Sequence, residues 1–340
     1  MRGLRKMIIS IQLLRFIAAA FVVLAHVIGE YAGMKIIGTF GVDIFFVISG
    51  FIISHITETG HKNFLKKRLI RIVPMYWFFT FTIAVIAFIA PELLRRIKFD
   101  LGHLACSLLF IPCWNEGTRF NPLLGLGWTI NYEIFFYLLF FIAININNKY
   151  RELICSFFII FFVFVLNVIS FNQVSPISFY KNPIIFEFII GMWIAVIYRK
   201  KSSYFNSLSC YTTISLIPVV VILFIYTSKF EIITFGYLRF LVWGSLSACL
   251  LIIFLSLEGI FRESLYFGRR CFLMLGDISY PLYLLHIYVI AIFTRVLEVQ
   301  LFNFSVLYLI LLSASSVLSY FIYSTFDIPI RRYLTYRLAK

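Results

Sequence analysis

Two residues able to do chemistry stand eleven apart in an otherwise apolar run: Leu14-Arg15-Phe16-Ile17-Ala18-Ala19-Ala20-Phe21-Val22-Val23-Leu24-Ala25-His26. At about 3.6 residues per turn, Arg15 and His26 return to nearly the same helix face, roughly 16 Å apart along the axis. Ionisable groups inside hydrocarbon are costly and normally face a cavity or a pathway. An imidazole can take a proton near neutral pH. A buried guanidinium needs an anion, either a protein carboxylate or a ligand phosphate. The pair therefore suggests chemistry or transport within a membrane.

Other polar residues interrupt apolar runs in the same way. Asp43 lies in Gly41-Val42-Asp43-Ile44-Phe45-Phe46, at about the depth of His26, and Glu133 closes Gly127-Trp128-Thr129-Ile130-Asn131-Tyr132-Glu133. Either acid could orient an imidazole or simply lock two helices through a salt bridge. Arg239 is a possible partner for one of them. Ser279, Tyr280, Tyr283 and His286 follow i,i+3/i+4 spacing and so form one polar stripe. Arg68 and Arg71, three apart in Lys66-Lys67-Arg68-Leu69-Ile70-Arg71-Ile72-Val73-Pro74, share a face. Two guanidinium forks make a good phosphate grip, and an ordinary positive-inside flank would read the same way.

The elements that must position these groups are membrane helices. The chain is 62% hydrophobic and 13% charged, too apolar for a soluble domain of 340 residues. Apolar runs long enough to cross a ~30 Å core predict ten spans, at about 8–28, 37–56, 71–90, 126–146, 152–171, 182–198, 211–227, 236–257, 277–294 and 304–326. The fold class is an all-α polytopic helix bundle, read as one domain over 1–340 and as a multi-pass protein of the inner (cytoplasmic) membrane. The net charge of +15 would suggest nucleic acid in a soluble protein. Here it is topogenic, and no nucleic acid partner is expected: two-thirds of the 30 basic residues fall on one side if both termini are cytoplasmic.

Residues 101–113 are apolar but short and end near Pro112, which suits an interfacial or re-entrant piece in an outward loop at about 91–125. Counting them as a span would turn every later basic loop outward. The first span is too long for a signal-peptide core and carries Arg15, so cleavage is not expected. The six cysteines show no paired metal spacing, His103 with Cys106 is a two-ligand fragment at best, and no metal is expected. Cys106 and Cys113 share a face at i,i+7, but in a regular helix their Cα atoms would lie ~10 Å apart, too far for a disulfide.

Six blocks together resemble the integral membrane acyltransferase-3 family: LRFIAAAFVVLAH, GVDIFFVISGF, RLIRIVP, GWTINYEIFFY, ISYPLYLLH and FDIPIRR, in the family's order across residues 13 to 332. The resemblance implies ten spans and O-acylation of a bacterial surface glycan. It implies that Arg15 and His26 are an essential pair, Arg68 and Arg71 the paired arginines of a cytoplasmic loop, and Glu133 the acid after Gly-Trp. The implied acyl donor is acetyl-CoA and the implied acceptor a cell-surface polysaccharide, O-antigen or lipid-linked glycan. Thr129-Ile130-Asn131 departs slightly from the family's commoner form at that place.

On this reading His26 is the general base, Asp43 or Glu133 orients its ring, and Arg68 and Arg71 hold the donor phosphates. Arg15 binds the pyrophosphate or neutralises the acids of the spans. A covalent acyl-histidine relay is the variant. A flippase for a glycan or lipid-linked intermediate is the competing class, but it would want charged residues along a central tunnel over several helices and signs of repeat symmetry.

Overall fold

The computed structural model describes residues 7–31, 38–58, 62–94, 99–114, 120–169, 176–201, 205, 210–234, 236–263, 266–296 and 303–339. Those residues form helices and short 3-10 or π turns, with no strand among them. In chain order the helices are α1 (Ile9–Tyr31), α2 (Gly41–Thr57), α3 (Phe64–Ile89), α4 (Leu101–Leu108), α5 (Gly127–Ile146), α6 (Arg151–Val168) and α7 (Phe186–Lys200). Then come α8 (Cys210–Thr227), α9 (Gly236–Ser256), α10 (Glu258–Glu263), α11 (Tyr266–Ala291), α12 (Phe304–Ile322) and α13 (Ile328–Ala339).

Seven helices are long and apolar enough to cross a membrane, and two shorter apolar ones, Gly41–Thr57 and Thr213–Thr227, join them. With α7 these fall on the ten expected spans. The protein is an all-α, multi-pass membrane helix bundle. Its lipid-facing surfaces look the part: on α6 Phe157, Phe161, Phe164 and Val168, spaced as one face, are all exposed. Two ends differ from expectation. α3 begins at Phe64, which puts Arg68 and Arg71 on its first two turns rather than in a loop, and α11 begins well before residue 277. The expected start of span two at 37 lies outside the described residues, as do 95–98 and 115–119 of the expected outward loop.

The chain forms two compact units, 1–60 with 186–323 and 61–185 with 324–340. In the first, α1, α2, α7 to α12 pack together. Lipid-soluble helices gain little from burying apolar surface against one another, so close backbone approach must hold them. A Cβ on Gly50 of α2 would lie 2.1 Å from the Phe188 carbonyl oxygen, and one on Gly191 of α7 would lie 2.0 Å from that of Val47. Only glycine fits at either place. At the far end Arg199 donates to the Ser54 carbonyl at 2.8 Å and to its hydroxyl oxygen at 2.9 Å. α2 and α7 therefore run parallel, as the second and sixth of ten spans must. The free N–H groups that open α1 are capped from α10: Ile9 and Ser10 donate to the Glu258 carboxylate at 3.1 and 2.8 Å, and Arg262 pairs with the same acid.

In the second unit α3 packs on α4, α5 and α13, and α5 on α6. An apolar groove of about 1200 Å³ runs along α3 and α13 past Leu108 to Phe110. Residues 101–113 are a short helix and a turn, as expected for a non-spanning piece. Asp100 caps α4 by accepting from His103 N, and the helix ends with Phe110 N donating to Ser107 O and Ile111 N to Cys106 O. That is a Schellman ending, in which Phe110 takes the left-handed conformation (φ 59°) usually left to glycine.

The ending overturns one expectation. Cys106 and Cys113 are bonded, with Cα atoms 6.0 Å apart. The distance of a regular helix does not apply, because α4 stops at Leu108 and the chain doubles back. Disulfides persist in oxidising compartments, which agrees with the outward side that the basic residues assign to this loop. In denatured, unreduced protein Cys106 and Cys113 should resist maleimide, and both should react after reduction. Labelling of either before reduction would show that the bond does not form.

Candidate functional site

The polar groups gather in three places, two in the first unit and one in the second. His26, near the end of α1, is exposed, whereas His286 on α11 is fully buried. Each ring reaches back one turn along its own helix. His26 Nδ1 lies 2.9 Å from the Val22 carbonyl oxygen, and His286 Nδ1 lies 3.1 Å from that of Leu282. His286 Nε2 lies 3.2 Å from His26 Nδ1, with the rings edge-on at 65° and centroids 4.8 Å apart. The helices can approach this closely because Gly276 of α11 has no side chain: a Cβ there would sit 2.3 Å from that of Gln12 on α1. Contacts at Gln12–Gly276 and His26–His286 make α1 and α11 parallel, as first and ninth spans must be.

Arg15 is buried about three turns before His26 and donates to Gln12 Oε1 at 3.0 Å. Gln12 thus serves both helix packing and the guanidinium.

The second cluster joins α2, α7 and α9. Asp43 is fully buried and accepts from Arg239 twice, Nε to Oδ1 at 3.0 Å and Nη2 to Oδ2 at 2.7 Å. Arg239 lies over the Trp243 ring at 4.9 Å, a cation–π contact, and its Nη2 also approaches the Thr39 carbonyl at 3.4 Å. Glu187 of α7 is fully buried against Asp43 and Arg239. The expectation that Arg239 partners an acid is met. Asp43 is expected to orient the His26 ring; among the described residues it accepts from Arg239, and the ring's Nδ1 is directed at Val22 and His286. Glu187 is not among the residues singled out from the sequence, although an acid four residues after Pro183 inside an apolar run is a visible signal.

The third cluster lies on α3 and α5. The Arg68 guanidinium donates to the Tyr137 hydroxyl oxygen and lies beside Glu133 and Arg71. Tyr137, one turn beyond Glu133 on α5, donates its hydroxyl to Glu133 Oε1. The two arginines therefore share a face with an acid and a phenol that fix the direction of the first fork. Asn131, almost fully buried on α5, has neither amide atom hydrogen-bonded among the described residues.

The comparisons give the class. The acyltransferase-3 family profile, described as an acyltransferase domain, matches residues 8–324, and the chain belongs to that family. It is a membrane-bound acyltransferase. A curated relative is similar to it: the exopolysaccharide production protein ExoZ of Rhizobium meliloti (strain 1021), 30% identical over 274 residues, which cover 76% of this chain and 78% of that protein. No solved structure matches with significance.

Arg239 offers a test of the second cluster. Arg239→Ala leaves the Asp43 carboxylate buried and uncompensated, which should cost about 3–5 kcal/mol, read as a lower melting temperature in detergent. Adding Asp43→Asn removes the stranded charge and should recover much of the loss. Equal melting of Arg239→Ala and wild type would show that the pair contributes nothing.

Proposed function

We propose that the protein transfers an acetyl group from acetyl-CoA to a sugar hydroxyl of an exopolysaccharide or its lipid-linked precursor, with residues 1–340 working as one acyltransferase domain in the cytoplasmic membrane. The likeness to ExoZ, an exopolysaccharide production protein, supports the acceptor class, and a family match drawn from both units supports the single domain. The observation that carries the chemistry is His26. A carbonyl can only accept, so the Nδ1 facing Val22 O bears the proton. Nε2 keeps its lone pair at an exposed position inside a membrane helix, where a hydroxyl can meet it.

In this reading the sugar O–H proton moves to His26 Nε2 as the oxygen bonds the acyl carbon. The carbon–sulfur bond breaks, and the proton passes to the departing thiolate. Arg68 and Arg71 bind donor phosphates, with Glu133 and Tyr137 holding the first fork in place. Arg15, steadied by Gln12, supplies positive charge for an anionic part of the donor. Asp43 joins α2 to α9 through Arg239 and keeps the α2 end of the bundle fixed. Membrane lipids fill the groove along α3 and α13.

Purified protein given labelled acetyl-CoA and exopolysaccharide oligosaccharides should transfer label. His26→Ala should lower that rate about 10²–10⁴-fold while leaving donor binding intact. His26→Gln should fail nearly as badly, because an amide cannot take the proton at neutral pH. Near wild-type turnover in His26→Gln would place the base elsewhere.

The arginines are tested separately. Arg68→Ala or Arg71→Ala should weaken acetyl-CoA binding and spare glycan binding. Lys should rescue poorly, since an ammonium lacks the fork. Unchanged donor affinity in both, with normal melting, would leave these arginines to topology alone.

A further inference from the structure

We propose that His286 is the positioning partner of His26: its Nε2 accepts the His26 Nδ1–H, fixing which nitrogen meets the reactant and sharing the charge while His26 holds the proton. The inference rests on His26 as base and deepens it. Its geometry starts from two carbonyls. His286 Nδ1 faces Leu282 O and His26 Nδ1 faces Val22 O, so both neutral rings carry hydrogen at Nδ1 and a lone pair at Nε2. The His286 lone pair then points at His26 Nδ1, 3.2 Å away. The His26 hydrogen is shared between Val22 O and His286 Nε2, and the His26 ring cannot turn over without losing both acceptors.

The supporting structure locks His286 more firmly than His26. Its side chain is fully buried, tied to its own helix, and packed near the Tyr283 ring, which in turn meets Phe45 edge-on at 5.9 Å. The exposed ring is thus held by the buried one. During transfer one N–H bond forms and breaks at His26 Nε2, and His286 neither gains nor loses a proton. Its part is that of the carboxylate in a Ser-His-Asp triad, taken by a neutral ring.

The test uses the full-length protein in detergent, with labelled acetyl-CoA and exopolysaccharide oligosaccharides. Variants are His286→Leu, His286→Gln, His286→Asn, His26→Ala and the double variant His26→Ala with His286→Leu. Removing the acceptor should lower kcat roughly 10–100-fold, with KM for acetyl-CoA unchanged. Gln places an amide oxygen or nitrogen near the site of Nε2 and should recover much of kcat. Asn reaches only the site of Nδ1 and should not. The double variant should be no slower than His26→Ala, because a residue acting through His26 has nothing left to act on.

Wild-type kcat in His286→Leu, or losses that multiply in the double variant, would overturn the proposal. If His286→Leu does not fold, Gln and Asn decide: equal kcat at equal melting temperature overturns it, and Gln well above Asn supports it. Retained transfer in His26→Ala is a different failure, that of the base itself, and is read from that variant alone.

Discussion

Hydrocarbon offers polar groups no water, so a buried donor or acceptor is costly unless it finds a partner on protein. That constraint organises the first unit. Apolar contact alone distinguishes poorly between helix neighbours in lipid, so register is set where backbones touch and where polar groups meet. Gly50 and Gly191 let α2 and α7 close up, and Arg199 with Ser54 pins the same pair at its end. Gly276 lets α11 close on α1, and the two imidazoles meet about three turns further along α11. The groups that decide packing are largely the groups that can do chemistry.

The helix α9 shows the same economy. Arg239 is followed at once by a π turn, Phe240–Gly244, of the kind that often marks functional positions. The turn widens the spacing between Arg239 and Trp243, whose ring lies against the guanidinium while its Nε1 donates to Thr227 at 3.1 Å. Gly244 closes the turn with Glu187 against it, since a Cβ there would come within 3.3 Å of that side chain. Arg239 can therefore face Asp43 with both nitrogens of its fork while its flat side is covered, so the charge is shielded from lipid.

Hydropathy placed the long helices well because the bilayer imposes a length and an apolar composition on each. It could not show that α3 begins at Phe64, because Lys66, Lys67, Arg68 and Arg71 lower the hydropathy of turns that are nonetheless helical. The disulfide escaped for a related reason. The i,i+7 distance presumes a continuous helix, and nothing in Leu109-Phe110-Ile111 announces a left-handed residue where glycine would usually stand. Arg15, His26, Asp43 and Glu133 were visible as polar residues in apolar runs, and Arg68 and Arg71 as a spaced pair in a basic flank. Apart from Arg239 as the partner of an acid, their partners were not, because which stripe faces which depends on helix order in space. His286 stood out only as one of four residues on a stripe.

The ring that His26 meets is a second imidazole rather than a carboxylate. A carboxylate beside the ring would add a second buried charge, and a lone carboxylate in low dielectric is expensive unless a cation meets it. Asp43 shows what such an acid needs here: a fork with both nitrogens engaged and an aromatic face over it. A neutral imidazole asks for much less. One backbone carbonyl fixes its tautomer, and its remaining lone pair is then aimed by the helix rather than by a counter-charge. In the proposed reaction positive charge develops at His26 as the proton arrives, when the His286 lone pair is already in place to meet it.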